Sequence, residues 1–201
     1  LGGRRVVVFG GGDVSLRKAA FFCREADVVV VSRSFVPDLR SLAVEMRELD
    51  LAAASDAMLE EILAGAFLAV AATDDPAVNN RIGRICRQLG IHFNNAEGES
   101  GDVIVPSVVK GENFAIAITT FGRSPAFARY LRMALEETYP MLDDMIRLQE
   151  DLRWELRRVE PSRTRRSEVL WEVLRDREVW EAISRGHDAA WRVVRGRYLH
   201  D

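Results

Sequence analysis

Residues 5–15, which read RVVVFGGGDVS, join a short apolar run to a glycine-rich turn. Residues 6–9 are β-branched or aromatic throughout, which is typical of a strand buried on both faces. From Val14 onward apolar residues recur at helical spacing. Gly10 permits a tight bend, and Gly12 lets the backbone approach a pyrophosphate at the helix N-terminus. Ser15 stands where glycine or alanine is usual, which predicts slightly looser contact between helix and strand. A strand, this turn and a helix predict a dinucleotide-binding unit.

The alternation of strands and helices continues to about residue 105. Strands are predicted at residues 6–9, 28–31, 44–49, 67–71, 91–93 and 103–105. Helices are predicted between the strands. In the helix before residues 91–93, Pro76 suits the first position and Gly90 suits the end. Ser55 or Asp56 can cap the helix before it. This order predicts an α/β fold with a Rossmann-like parallel sheet and right-handed crossovers.

The end of the second predicted strand bears on which nucleotide binds. The acid that usually contacts the ribose hydroxyls there is absent, and Ser32, Arg33 and Ser34 follow the strand instead. Hydroxyl and backbone groups can bind a ribose, whereas Arg33 could accept a 2′-phosphate or could be a solvent-facing loop residue. The residues themselves therefore leave NAD and NADP open.

After Pro106 the pattern changes. Residues 107–110 and 114–120 predict a β-hairpin. Ser124 is predicted as the N-cap of a following helix, with Pro125 as its first residue. This hairpin and helix lie outside the alternating pattern and predict a separate segment.

The last quarter of the chain, from about Tyr139, is predicted to be helical. Pro161 and Gly186 are predicted to divide it, with one helix before Pro161 and about two after it. Charges of both signs at helical spacing predict solvated faces rather than a nucleic-acid surface. The four tryptophans of this region are expected to anchor helix packing.

The composition is that of a soluble globular protein: 201 residues, 48% hydrophobic and 29% charged, with a net charge of −3. Nucleic-acid binding needs a clear basic excess, which is absent. No apolar run approaches the ~20 residues that span a bilayer. Cys23 and Cys86 lie singly in apolar stretches and predict two small buried side chains, with no metal site. No signal-peptide pattern follows Leu1, and we expect a cytoplasmic protein.

Four motifs carry a resemblance to a known family: GGGDV at 10–14 with RKA at 17–19, AATDDP at 71–76 with Val78 and Asn79, GDVIVPS at 101–107, and TFGRSPA at 120–126. In order and spacing they resemble the precorrin-2 dehydrogenase and sirohydrochlorin ferrochelatase family. That family comprises the N-terminal module of sirohaem synthase and its free-standing relatives. The resemblance extends over residues 6–135, about two thirds of the chain.

The resemblance implies three regions and one activity. It implies an NAD-binding Rossmann domain at residues 1–105, a dimerisation segment at 106–138 and a helical domain at 139–201, in an intertwined homodimer. It implies the NAD-dependent dehydrogenation of precorrin-2 to sirohydrochlorin in sirohaem biosynthesis. Some members also insert Fe2+. The implied cofactor-binding residues are Gly10, Gly11, Gly12, Asp13, Val14, Arg33, Ser34 and Thr73.

Glu97 is the candidate catalytic residue. The family carries an aspartate shortly after an Asn-Val pair that follows the fifth strand, and here residues 93–97 read FNNAE. Glu97 keeps the carboxylate but displaces it by one methylene, on the order of 1.5 Å. A base at this place could accept a proton while the cofactor accepts the hydride. Asp102 is interpreted as a turn or orienting residue and His92 as a structural strand residue, with a catalytic role as the alternative for each.

Cationic and amide groups are the candidates for binding the substrate, because precorrin-2 carries eight carboxylates. Arg123 and the first N–H groups of the helix capped by Ser124 are the foremost candidates. Thr120 stands where the family often has serine, and Asn94 and Lys110 are weaker candidates. The alternative interpretation of each is an exposed charge or a turn amide.

Three other functions stay open. The protein could combine dehydrogenase and ferrochelatase activities, although the altered carboxylate favours dehydrogenation alone. It could bind nucleotide or tetrapyrrole without turnover, since both the ribose acid and the family aspartate are replaced. The residues without the resemblance support a Rossmann reductase of another substrate.

Overall fold

A computed structural model describes residues 1–97 and 101–199. The chain divides into two compact units, Leu1–Val105 and Pro106–Asp201. Each unit has a hydrophobic core of its own.

The first unit is a parallel α/β sheet. Its described strands are β1 (Arg5–Phe9), β2 (Asp27–Ser32), β3 (Glu45–Glu48), β4 (Leu68–Ala71) and β5 (His92–Asn95). Its described helices are α1 (Asp13–Phe22), α2 (Asp56–Leu63) and α3 (Pro76–Leu89). The strands run parallel in the order β3-β2-β1-β4-β5, so the direction of winding reverses between β1 and β4. The Rossmann-like sheet is thus confirmed, and open α/β sheets bind ligands at such a reversal.

Strand β1 lies in the middle of the sheet because both of its faces are apolar. Val7 and Phe9 belong to the core shared with α2 and α3, whereas Val6 and Val8 belong to the core shared with α1. All four side chains are fully buried. The sequence prediction of a doubly buried strand is confirmed.

Ser15 connects α1 with the end of β4. Ser15 is fully buried, and its hydroxyl donates a hydrogen bond to the carbonyl of Ala72 at 3.3 Å. The prediction that Ser15 loosens this contact is wrong, because the small hydroxyl finds a carbonyl at the end of β4.

Helices α2 and α3 begin where local sequence signals predict, and α3 also ends where its glycine predicts. Ser55 accepts a hydrogen bond from the Met58 N–H at 3.3 Å, so Ser55 rather than Asp56 caps α2. Asp75 caps α3 by accepting from the Ala77 N–H at 2.8 Å, and Pro76 is the first helical residue. Gly90 ends α3 in the left-handed conformation, with φ of 69°.

The predicted sixth strand at residues 103–105 is absent from the described sheet, and that prediction is wrong. The segment runs beside β5 with one backbone bond, from Val103 N–H to the Phe93 carbonyl at 3.0 Å. Side chains make the other hydrogen bonds that the backbone of a paired strand would make with β5. Asp102 accepts from the Phe93 N–H at 2.5 Å, and the Asn94 amide donates to the Val103 carbonyl at 2.7 Å. The other predicted strands are present with their ends shifted by one or two residues.

The second unit joins a hairpin to a helical region. Strands β6 (Ser107–Lys110) and β7 (Ala115–Ile118) pair antiparallel. Its described helices are α4 (Pro125–Thr138), α5 (Leu142–Val159), α6 (Arg163–Arg175), α7 (Arg177–Ile183) and α8 (His187–Tyr198). Three described helices therefore follow Pro161 instead of about two. Asp176 adds the extra division, because it ends α6 and caps α7 by accepting from the Glu178 N–H at 2.8 Å.

The four tryptophans do not share one role. Trp180 and Trp191 pack against the helical core. Trp154 and Trp171 are exposed, and the arginine one turn later in each helix lies over the ring, at 5.0 Å and 5.4 Å from its centroid. The prediction of four packing anchors is wrong for this pair, because cation–π contacts cover these rings at the surface.

The two cysteines are free, as the sequence predicts, but only one is fully buried. Burial raises the pKa of the Cys86 thiol to about 12, so it stays protonated. Cys23 is half-buried, which corrects the prediction of two buried side chains. Over residues 1–97 and 101–199, no helix has both the length and the apolar character that a membrane span requires.

Candidate functional site

A cavity of about 1100 Å³ opens at the carboxyl ends of β1, β2 and β4. Four segments line it: the glycine turn, the loop after β2, the residues after β3 and the loop after β4. Glu97, beyond the end of β5, completes the lining. Of the predicted site residues, the structure places these around it: Gly10, Gly11, Gly12, Asp13, Val14, Arg33, Ser34, Thr73 and Glu97.

The three glycines of the turn differ in what surrounds them. Gly10 has a φ of 118°, and a Cβ there would overlap the Ala72 carbonyl. A Cβ on Gly11 would overlap the Ser34 carbonyl. Around Gly12, by contrast, no protein atom lies within 4 Å of a built Cβ. The protein itself therefore requires the first two glycines, and Gly12 leaves its backbone open to the cavity.

The open backbone at Gly12 fits the phosphates of a dinucleotide. Gly12 is the N-cap of α1 and has no side-chain capping bond. The first N–H groups of a helix have no partner within the helix, and its dipole favours an anion there. A pyrophosphate beside Gly12 would meet both.

The loop after β2 is fixed against the glycine turn. The Val36 N–H donates to the Gly11 carbonyl at 2.8 Å. Arg33 and Ser34 line the cavity, and the exposed Arg33 guanidinium lies 3.8 Å from the Asp50 carboxylate. The sequence reasoning missed Asp50, because only the pairing of β3 with β2 brings it to this place.

A buried amide connects the loop after β4 with Glu97. Asn79 on α3 is fully buried, and its Oδ1 accepts from the Thr73 N–H at 3.2 Å and the Thr73 hydroxyl at 2.7 Å. Its Nδ2 donates to the Thr73 and Glu97 carbonyls, both at 3.2 Å. Sequence reasoning placed Asn79 in a motif without a role. A polar residue on the apolar face of α3 was the available signal.

Glu97 is an exposed residue of the cavity lining, and its backbone is held by hydrogen bonds. The Asn79 amide binds its carbonyl, and its N–H donates to Asn95 Oδ1 at 3.2 Å. A carboxylate on a fixed backbone at a cavity rim can act as a general base toward a bound substrate.

Not all of the predicted residues around β5 line the cavity. Asn94 is buried outside the cavity lining, with its Nδ2 bonded to Val103 and no partner for its Oδ1 among the described residues. His92 begins β5, away from the carboxyl end, and its Nδ1 lies 3.1 Å from Asp102. Burial opposes ionisation of Asp102, but bonds from the Phe93 N–H and His92 outweigh it and lower its pKa. Both residues thus hold the segment after β5 to the strand.

Thr120, Arg123 and Ser124 form one turn in the second unit. Thr120 accepts from the Ser124 N–H through its hydroxyl and from the Arg123 N–H through its carbonyl, both at 3.0 Å. Ser124 caps α4 by accepting from the Phe127 N–H at 3.3 Å, as predicted. The Arg123 side chain is exposed. In the described residues no cluster of three or more His, Cys, Asp or Glu side chains could hold a metal ion.

Comparison with known proteins finds a matching family and similar proteins. Residues 1–107 match a family described as putative NAD(P)-binding. A precorrin-2 dehydrogenase of Methanosarcina barkeri is 39% identical over 195 residues, covering 94% of this chain and 87% of the relative. A sirohaem synthase of Azotobacter vinelandii is 31% identical over 191 residues, so this chain spans 40% of that longer protein.

A solved structure has the same fold. The structure of SirC, a precorrin-2 dehydrogenase, superposes with a TM-score of 0.68, covering 98% of this chain and 96% of that one. The two sequences are 22% identical, so this likeness concerns the fold.

Proposed function

This chain belongs to the precorrin-2 dehydrogenase family, and we propose that it oxidises precorrin-2 to sirohydrochlorin with NAD as hydride acceptor. The observation that carries the proposal is one cavity, at the reversal point of the sheet, lined by both the glycine turn and Glu97. Cofactor phosphates and a base thereby belong to a single site.

The residues of the first unit divide the work of this reaction. NAD supplies the hydride acceptor when it is bound. Gly12 and the N-terminus of α1 bind the pyrophosphate, and Gly10 and Gly11 let the turn pack closely enough to present them. Asp13 and Val14 begin the helix at this point, and Ser34 and Arg33 lie where the adenosine ribose would bind.

Glu97 is the proposed base. Removal of hydride from the reduced tetrapyrrole is accompanied by loss of a proton, and a carboxylate within hydrogen-bond reach accepts it. Asn79 holds both the Glu97 carbonyl and the cavity-lining Thr73, so that base and cofactor surface keep a fixed separation.

The carboxylates of precorrin-2 need donors, and we propose Arg123, Thr120 and Ser124 with the first N–H groups of α4. Arg123 offers a free planar donor set suited to a carboxylate. The N-terminus of α4 offers oriented N–H groups. Asn94 is also proposed to contact the substrate, but not a carboxylate: its buried Oδ1 has no partner among the described residues and would accept from an N–H of the tetrapyrrole.

The test is direct. Protein, precorrin-2 and NAD+ are mixed, and NADH formation is followed by its absorbance. We expect NADH to appear in proportion to sirohydrochlorin, and a flat trace with intact NAD+ binding would overturn the proposal in favour of a binding protein. Fe2+ added to the product, with sirohaem absorbance as readout, tests the ferrochelatase alternative in the same cuvette.

Glu97→Ala separates the base from the binding site. We expect turnover to fall by about tenfold or more, because general base catalysis is lost, while NAD+ affinity stays within about twofold. Glu97→Asp keeps a carboxylate at the family's usual length and is expected to stay active. Unchanged turnover in Glu97→Ala would remove Glu97 from the mechanism.

We also propose that residues 106–138 mediate a homodimer, whereas residues 1–105 bind the cofactor and residues 139–201 form a helical domain. The support is apolar exposure on this segment: Phe121 is 78% exposed and Tyr130 66%, and Phe127 and Met133 are more than half exposed.

Two free cysteines suit the reducing cytoplasm, which is the proposed location.

A further inference from the structure

The chain after β3 returns to the end of β2. Ser32 pairs with Glu48 in the sheet, and the Leu49 N–H donates to the Ser32 carbonyl at 3.0 Å. Asp50 follows directly, so its side chain lies beside the loop that carries Arg33. Both side chains line the cavity at the end where the adenosine ribose binds in such folds.

The Asp50 carboxylate has one oxygen fixed and one directed at Arg33. Its Oδ1 accepts from the Ala52 N–H at 3.0 Å and the Ala53 N–H at 3.3 Å. Its Oδ2 lies 3.8 Å from the Arg33 guanidinium. The two backbone bonds hold the carboxylate in place, so the pairing does not depend on two freely moving side chains.

The charges around the cavity disfavour a further phosphate. Arg33 is the one cationic side chain among the described lining residues, which also include five acids: Asp13, Asp50, Asp74, Asp75 and Glu97. Since Asp50 pairs with Arg33, no described lining cation stays uncompensated. A 2′-phosphate would have to displace Asp50 from Arg33 and enter an acidic surrounding.

We propose that Asp50, by pairing with Arg33, makes this site select NAD over NADP. In many dinucleotide-binding folds an acid at the end of the second strand serves this purpose. Here that strand ends in Ser32, and the neighbouring strand supplies the acid instead. Without Asp50, Arg33 would be an unpaired guanidinium at the ribose, which suits a phosphate. This inference rests on the proposed function only in taking the cavity as the NAD site.

The test measures the affinities of NAD+ and NADP+ by calorimetry, without any substrate. We expect the unaltered protein to bind NAD+ more tightly. Asp50→Asn keeps an oxygen for the two backbone N–H groups and removes the charge. We expect it to bind NADP+ roughly tenfold more tightly relative to NAD+, about 1.4 kcal/mol. Adding Arg33→Ala to Asp50→Asn should cancel this gain.

Asp74→Asn is the matched control, since it removes the same charge from the same lining but follows β4. Its ratio of NADP+ to NAD+ affinity should change much less than that of Asp50→Asn, because Asp50 is the acid that pairs with Arg33. Three results would overturn the proposal: a preference of the unaltered protein for NADP+, an unchanged ratio in Asp50→Asn, or an equal gain in Asp74→Asn. If Asp50→Asn does not fold, Asp50→Ser decides, because it also keeps an oxygen for the backbone N–H groups, removes the charge and should raise the ratio of NADP+ to NAD+ affinity in the same way.

This result is separable from that of the proposed function. Should Asp50→Asn leave the ratio unchanged while precorrin-2 still reduces NAD+, only the selectivity proposal fails. Should the ratio change while precorrin-2 yields no NADH, only the proposed reaction fails.

Discussion

Positions 11 and 12 are adjacent, but each requires glycine for a different reason. A side chain on Gly11 meets the Ser34 carbonyl, whereas a side chain on Gly12 meets only the cavity. The local pattern predicts that this turn binds phosphate. It does not predict which glycine serves packing and which serves the ligand, because that depends on the distant loop after β2.

Gly12→Val should weaken NAD+ binding by about tenfold or more, because the new methyl groups occupy the space of the pyrophosphate. Its melting temperature should stay close to that of the unaltered protein. Gly11→Ala is the contrasting variant. It should destabilise the fold by roughly 1–3 kcal/mol, because backbone atoms must shift. Calorimetric NAD+ titration and thermal unfolding measure both, and normal NAD+ binding in Gly12→Val would contradict a phosphate at this turn.

Asn79 is a residue whose role could not be predicted from the sequence. Its motif is visible, and three of its hydrogen bonds go to Thr73, six residues earlier, but the fourth goes to Glu97, which only the folded sheet brings close. Asp50 was missed for the same reason. Residues defined by local turns could be assigned from the sequence, and residues defined by contacts between strands could not.

Asn79→Ala should lower the free energy of unfolding by roughly 1–3 kcal/mol, because buried groups on Thr73 and Glu97 lose their partner. Turnover should fall as well, since the base and the cofactor surface lose their common support. Asn80→Ala is the neighbouring control, since Asn80 is half-buried and accepts from Asn95 Nδ2 at 3.2 Å, and we expect a smaller effect. Equal losses in the two variants, by urea unfolding and steady-state assay, would argue against a special role for Asn79.

At the scale of elements, the sequence predicts those that depend on their own residues. Strand β1 and the capped helices α3 and α4 follow from local apolar patterns and caps. The segment at 103–105 has the composition of a strand, but Asp102 and Asn94 take its hydrogen-bonding partners. The division at Asp176 was equally hidden, because a capping aspartate within a helical pattern resembles a surface charge.

The hairpin of β6 and β7 is held to α5 by Asp143. Its Oδ1 accepts from the Asn113 N–H at 2.8 Å, and its Oδ2 accepts from the Glu112 N–H at 2.9 Å. These backbone bonds lower the pKa of Asp143 below its usual value of 3.8. A carboxylate whose pKa is lowered by folding stabilises the native state above its unfolded pKa, and that contribution is lost as the pH falls through the folded pKa.

Asp143→Asn should therefore destabilise the protein near neutral pH and much less in acid. We expect the difference in melting temperature between Asp143→Asn and the unaltered protein to shrink as the pH falls below the usual aspartate pKa of 3.8. Asp144→Asn, one residue along the same helix, is the control, since within the described part of the chain Asp144 makes only a 3.9 Å ion pair with Arg147. A difference that is constant with pH would show that the carboxylate charge is not responsible.

At the scale of the molecule, the predicted site residues fall into the two units. The cavity is lined by residues of Leu1–Val105, whereas Thr120, Arg123 and Ser124 belong to Pro106–Asp201. Cofactor binding should accordingly depend on the first unit, and self-association on the exposed apolar residues of the second. The sequence predicts the boundary near Pro106 because its strand and helix rhythm changes there.

Phe127→Glu with Tyr130→Glu should convert the proposed dimer to a monomer, because two charges enter an apolar contact face. Both side chains are exposed on α4, where among the described residues Ala128 alone is buried, so the fold of the protomer should tolerate them. Light scattering after gel filtration measures the mass, and NAD+ affinity should be unchanged because the cavity belongs to the first unit. Trp171→Glu is the control, an equally exposed aromatic residue on α6 whose replacement should leave the dimer intact. A monomeric unaltered protein would overturn the proposed dimer, and a dimer that survives both glutamates would place self-association elsewhere on the chain.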